Sequence, residues 1–142
     1  MLGSISPNPN LTVRHTQTPK GRGVFAQRAY QAGEVVEVSP VMEIEAPWDS
    51  LPRALQLIVY EWGYLAGEPG TEVRGVALGL GSLFNHADQP SLAYTADVDK
   101  QALVFTAVRD IPEHEELTID YNADIEPGGE SWFSIMGIKP IA

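Results

Sequence analysis

The sequence predicts a mostly β, α+β domain of many short strands and tight turns with one helical region. Three observations carry this. Thirteen Gly and eleven Pro in 142 residues punctuate the chain often. Between these breaks lie short runs rich in Val, Ile, Thr, Tyr and Phe, which suit a pleated, half-buried surface. A single stretch carries convincing helical spacing. The length suits one domain, and an apolar fraction of 44% suits a folded chain with a core.

Residues 1–10 are rich in Ser, Pro and Asn and are expected to be loose. Leu11–His15 reads as a strand, followed by a turn through Thr18-Pro19-Lys20-Gly21-Arg22-Gly23. Gly23 to Ala26 reads as the next strand, Ala32-Gly33 as a turn, and Glu34 to Ile44 as a third strand, with Pro40 marking a break or an edge. The helix is expected from Ser50 to Trp62. Asp49 or Ser50 can cap it, Pro52 suits its first turn, and Leu55, Ile58, Val59 and Trp62 share one face. Two strands follow, Ser91 to Asp97 and Ala102 to Arg109, joined by a hairpin turn at 98–101. A turn at 110–114 leads into Glu115 to Tyr121, and the tail ends in an apolar Trp132-Phe133-Ser134-Ile135-Met136.

The formal charge of −10 argues against direct nucleic-acid binding, which needs basic patches, and favours a basic partner. It also simply keeps a protein soluble. With no cysteine there are no disulfides and no thiolate metal sites, and His15, His86 and His114 are too scattered for a metal set. No stretch reads as a membrane span or a secretory signal, so a cytoplasmic location is the default expectation.

Three segments carry chemistry. Lys20-Gly21-Arg22-Gly23-Val24-Phe25 is a Gly-x-Gly turn entering a strand. Its backbone N–H groups can meet a carboxylate, aided by Lys20 or Arg22, although the same pattern serves an ordinary hairpin. Phe84-Asn85-His86 follows a glycine-spaced run, and Asn85 offers both donor and acceptors to an amino-acid-like group. Taken alone, it is equally a surface loop. In Glu115-Glu116-Leu117-Thr118-Ile119-Asp120-Tyr121, period two puts Tyr121 on the face of Leu117 and Ile119. An inward phenol needs a hydrogen-bond partner, whether it acts in chemistry or only fills the core.

In order and spacing these segments resemble the signature motifs of the SET-domain lysine methyltransferases. Roughly 60 residues separate the first two and roughly 30 the last two. The likeness runs from about Leu11 to Asn122, and it is to the minimal, stand-alone members of the family. It implies a β-clip fold of short sheets with a C-terminal pseudoknot, in which residues 84–88 and 117–121 meet. It implies a single SET domain over 11–142, a helical insert at about 47–72 shaping the substrate groove, and a tail, 123–142, closing the site.

The resemblance further implies a protein-lysine N-methyltransferase that uses S-adenosylmethionine, yields S-adenosylhomocysteine, and acts on a lysine-containing basic protein such as a histone. Gly21, Arg22, Gly23 and Val24 would line the methionine part of the cofactor. Asn85 would bind its amino or carboxylate end, the His86 backbone would meet the adenine edge, and Tyr121 would be the catalytic tyrosine. Trp132, with Phe133, would cover the adenine or line the lysine channel, or else plug the core. A homodimer is one expectation by the same analogy, and a nuclear or chromatin-associated location another if the host is eukaryotic. The competing expectations are a non-catalytic module that keeps the fold, and an unrelated β-rich enzyme.

Two departures from the family pattern stand out. Ala87-Asp88-Gln89-Pro90-Ser91 replaces the usual Ser-Cys-x-Pro-Asn, removing a hydroxyl from the loop. His114 replaces the turn glycine before Glu-Glu-Leu, a position that calls for a residue tolerant of positive φ.

Overall fold

A computed structural model describes residues 8–125, 127 and 129–138. The first seven residues of the expected loose amino-terminal stretch lie outside the described residues. Asn8 is tied in, donating from its amide to Val36 O and Glu37 Oε1, both at 3.0 Å. The described chain is mostly strand with a few short helices, as expected for a mostly β, α+β domain.

Two four-stranded sheets make the frame. One contains β1 (Leu11–His15), β2 (Arg22–Ala26), β8 (Glu116–Ile119) and β5 (Asn85–His86), in that order. The other is ordered β4 (Val73–Ala77), β3 (Val35–Glu45), β7 (Ala102–Ala107) and β6 (Leu92–Asp97). All pairings are antiparallel except β5 with β8, which run parallel with Asn85 opposite Thr118 and His86 opposite Ile119.

The turns follow backbone chemistry. Gly21 closes the first hairpin at φ 76°, a value that glycine reaches without penalty. His114 sits at φ 74° where the family favours glycine, so the chain retains the left-handed turn with an imidazole. Pro40 does not end β3. It lies opposite Ala102 on β7, and at Val41 the strand hands over from β7 to β4. Its carbonyl still accepts from Leu78 N–H at 2.8 Å, so the missing donor falls where the pairing changes partner.

The expected helix from Ser50 to Trp62 is broken. Its place is taken by a 3-10 turn at Trp48–Ser50, α1 (Arg53–Gln56) and α2 (Trp62–Leu65). Tyr60 explains the break. It exchanges two backbone hydrogen bonds with Gly75 of β4, at 2.8 and 2.9 Å, and its hydroxyl donates to Gly81 O at 2.6 Å. Sheet pairing and a buried phenol outweigh the weak preference for one continuous helix. Gly75 is required there, because a Cβ would meet Val41 Cγ1 at 2.6 Å.

Three elements were not anticipated: the two-residue β5, read as loop, β4 and α3. β4 is interrupted in sequence by Arg74-Gly75 and lacks alternation. α3 (Trp132–Met136) is bounded by Ser131, whose hydroxyl accepts from Ser134 N–H at 3.1 Å, and by Gly137 at φ 67°. Both boundary signals are present in the sequence. No described helix is long and apolar enough to cross a membrane.

The core lies between the sheets. Phe105, fully buried, touches the rings of Phe84, Tyr60 and Tyr94 at centroid distances of 4.8, 6.3 and 6.0 Å. We expect Phe105→Ala to cost about 3–5 kcal/mol in urea unfolding, because the three surrounding rings are themselves anchored and cannot collapse into the void.

Candidate active site

The parallel β5–β8 pairing brings the second and third sequence motifs side by side, and the β2–β8 pairing adds the first. Asn85 Nδ2 donates to Arg22 O and to Glu116 Oε2, both at 2.8 Å. A Cβ on Gly23 would lie 2.5 Å from Glu116 Oε2 and 3.1 Å from Asn85 Nδ2, so a side chain there would displace the Glu116–Asn85 pair. Lys20 Nζ donates to His86 O at 3.3 Å. Arg22, Gly23, Asn85 and His86 thus border one polar cradle, Gly21 turns the hairpin beside it with its bonds to Thr16 and Thr18, and Val24 points into the core and is fully buried.

His86 is a positioning group. Its Nδ1 accepts from Tyr121 N–H at 3.0 Å, so the ring proton belongs on Nε2, which donates to Asp88 Oδ1 at 2.8 Å. This fixes the backbone at Tyr121.

Tyr121 is the hinge of the site. Its hydroxyl donates to Phe84 O at 2.8 Å, the partner that an inward phenol requires. Burial, and secondarily the negative charge of Glu116, push its pKa up to about 12, so the phenol stays protonated at neutral pH. Its ring packs against Trp132, His86 and Phe133 at centroid distances of 4.8, 5.3 and 6.2 Å. Trp132 is held by its own N–H, which donates to Asn122 Oδ1 at 2.7 Å, while Phe133 packs edge-on to His86 at 4.7 Å.

Next to Tyr121 opens a pocket of about 240 Å³, lined chiefly by apolar and aromatic groups that include Ile58, Tyr60, Phe84, Tyr94, Tyr121 and Trp132. Three phenols in its wall share one arrangement. Tyr60, Tyr94 and Tyr121 donate to Gly81 O, Asp120 O and Phe84 O at 2.6, 3.0 and 2.8 Å. With each proton committed to a carbonyl, the phenol oxygens have only lone pairs to offer a guest. Burial pushes the pKa of Tyr60 and Tyr94 well up, so neither ionises in the working range.

Three groups beside the expected ones belong to this site. Tyr60 was read as part of a helix. Tyr94 alternates with Leu92 on β6, which signals an inward ring but not its role. Asp124, also in the pocket wall, had no signal at all. It is 6% exposed and accepts from Glu61 N–H at 2.8 Å through Oδ2.

The motif order and this geometry agree with what comparison finds. A family model described as SET domain matches residues 21–122. A histone-lysine N-methyltransferase of Schizosaccharomyces pombe, H3 lysine-37 specific, is 32% identical over 123 residues, covering 87% of this chain and 76% of the relative. The chain belongs to the SET-domain family. Among solved structures, the fold matches a candidate histone methyltransferase of Plasmodium falciparum with TM-score 0.64 and 22% identity, over 85% of this SET chain and 98% of the other. A Polycomb Repressive Complex 2 structure from Chaetomium thermophilum matches with TM-score 0.61 and 21% identity, over 80% of this SET chain and 15% of that one.

Asp124 gives this SET domain a measurable pH dependence. Burial raises its pKa from 3.8 to about 6, against the opposing effect of the Glu61 N–H. A raised carboxyl pKa means that ionisation opposes folding. The penalty is absent below the unfolded value, grows as pH rises toward 6 and is full above it. At about 1.4 kcal/mol per pH unit it is on the order of 2–3 kcal/mol. Asp124→Asn, which keeps an acceptor for Glu61 N–H, should therefore raise the melting temperature at pH 7.5 and change it little at pH 4, as followed by circular dichroism.

Proposed function

We propose that this chain is a protein-lysine methyltransferase that takes its methyl group from S-adenosylmethionine and delivers it to a basic, histone-like protein. The observation that carries this reading is the position of Tyr121. It lines the apolar pocket and also lies within the electrostatic reach of Glu116, which bonds Asn85 in the polar cradle.

The cradle fits the amino-acid end of such a cofactor. A glycine at 23, with no side chain to push the Glu116–Asn85 pair aside, lets the backbone approach closely, and the Asn85 amide, Arg22 O, His86 O and the Lys20 ammonium provide partners for an ammonium and a carboxylate. When bound, the sulfonium supplies an activated methyl group that needs no metal. Gly21, Arg22 and Gly23 would line its methionine portion, with Asn85 on its amino-acid end and the His86 backbone near the base. Val24 supports that loop from inside the core. Trp132, packed on Tyr121, would form the wall between the two compartments.

The pocket suits a lysine side chain. Its apolar wall disfavours a charged amine, and the committed phenols offer lone pairs to a neutral amine or to polarised methyl hydrogens. Alignment supplies much of the acceleration. Tyr121 works in this reading as a positioning and electrostatic group, since its high pKa keeps it neutral.

The substrate class rests on two supports. The S. pombe relative is named for histone H3, and the charge of −10 on this chain favours a basic partner. A histone substrate would place the protein at chromatin.

Tyr121→Phe should fold normally and lose about a hundredfold or more in kcat, measured by radiolabel transfer to histone H3. Unchanged turnover removes Tyr121 from its role. Asn85→Ala should weaken the binding of S-adenosylhomocysteine about tenfold or more by calorimetry, the effect of losing a charge-assisted hydrogen bond. Equal affinity would count against the contact.

A further inference from the structure

We propose that Asp124 is the group that receives the proton of the incoming lysine ammonium, and that it thereby generates the neutral amine inside the pocket. The inference rests on the lysine-methyltransferase reading above. Nothing in that reading uses Asp124, yet its carboxylate is nearly sealed from solvent in the wall that a lysine side chain would pass. One lone pair is held by Glu61 N–H at 2.8 Å, which aims the group and leaves capacity for another donor, since a carboxylate accepts at about four sites.

The surroundings favour a proton acceptor over a permanent ion pair. Glu61 and Asp120 face Asp124 with negative charge, and both raise its affinity for a proton. The Tyr60 and Tyr94 phenols, which also feel its charge, stay neutral. The nearby cation is Arg74 of β4, and it is bound to Glu61 at 3.1 Å. Among the described residues no cation is thus dedicated to keeping Asp124 ionised. The same apolar wall lowers the proton affinity of a lysine that ordinarily keeps its proton to about pH 10.4, while burial has already lifted the carboxyl to about 6.

The step balances simply. An N–H bond of the ammonium breaks and its electron pair stays on nitrogen. The proton moves to a carboxylate oxygen, leaving a neutral amine beside a neutral carboxylic acid. Both suit the pocket better than the ion pair. Asp124 returns its proton to water when the modified side chain leaves. Ordering the amine against Tyr121 and removing its proton are therefore tasks of different side chains.

Asp124→Asn tests this, because it keeps the acceptor for Glu61 N–H and removes the basic oxygen. With histone H3 as acceptor, the variant should lose about tenfold or more in kcat/KM at pH 7 and approach wild type by about pH 9.5, as solvent supplies neutral lysine. Wild type should lose activity as pH falls through about 6, and the variant should lack that limb. A loss that is the same at every pH marks a structural role and overturns the proposal. The second readout needs no turnover. In the cofactor-free protein, saturating n-butylamine should move the ¹³C-detected titration of the Asp124 carboxyl to higher pH, because the carboxyl then holds the proton taken from the ammonium. A titration that stays in place, or that moves to lower pH as a lasting ion pair requires, overturns the proposal as well. Absence of methyl transfer by wild type to any basic protein, with the amine effect intact, would instead remove the methyltransferase reading.

Discussion

A parallel pairing only two residues long holds this protein's site together. Asn85-His86 lie beside Thr118-Ile119, and no hairpin can make that contact, because parallel strands require the chain to travel away and return. So short a ladder is weak by itself. It is reinforced from all sides by Ala87 N–H on Ile119 O, by Tyr121 N–H on His86, by Tyr121 Oη–H on Phe84 O, and by the reciprocal bonds of Ser91 and Thr118. The last pair, at 3.2 and 3.0 Å, satisfies two buried N–H groups with two hydroxyls. Much of the cost of closing the intervening loop is offset within this small volume, which is also where the cradle and the pocket meet.

Much of the strand framework was legible because it obeys local rules. β1, β6 and β7 stand where their β-branched and aromatic runs place them, and residues 98–101 make the expected hairpin turn. His114 adopts the positive φ that its position demands. The largest failure has a non-local cause. The stretch from Ser50 to Trp62 has helical spacing, but Tyr60 finds a partner in Gly75, which lies in a segment with no strand pattern of its own. Neither half of that pair announces the other. α3 was missed for a different reason: it is short, and its Ser131 and Gly137 boundaries carry meaning only as a set.

The site was legible in its named motifs and not in its walls. Gly23, Asn85, His86 and Tyr121 fall in recognisable runs, and the fold gathers them. Tyr60, Tyr94 and Asp124 come from three unrelated stretches, and their common property is a position in space. A phenol bonded to a remote carbonyl leaves no trace in sequence beyond the tyrosine itself. The repeated use of such carbonyls also has an electrostatic effect: it fixes three oxygen dipoles before any guest arrives, so little reorganisation remains at the moment of reaction.

α3 has five residues, fewer than an isolated helix needs to persist in water. Its order is therefore borrowed from the rings of Tyr121 and His86, on which Trp132 and Phe133 rest. Coil formation in this segment and exposure of the aromatic cluster are one equilibrium. Fluorescence of the tail tryptophan and amide exchange at Ser134 must then report the same opening constant.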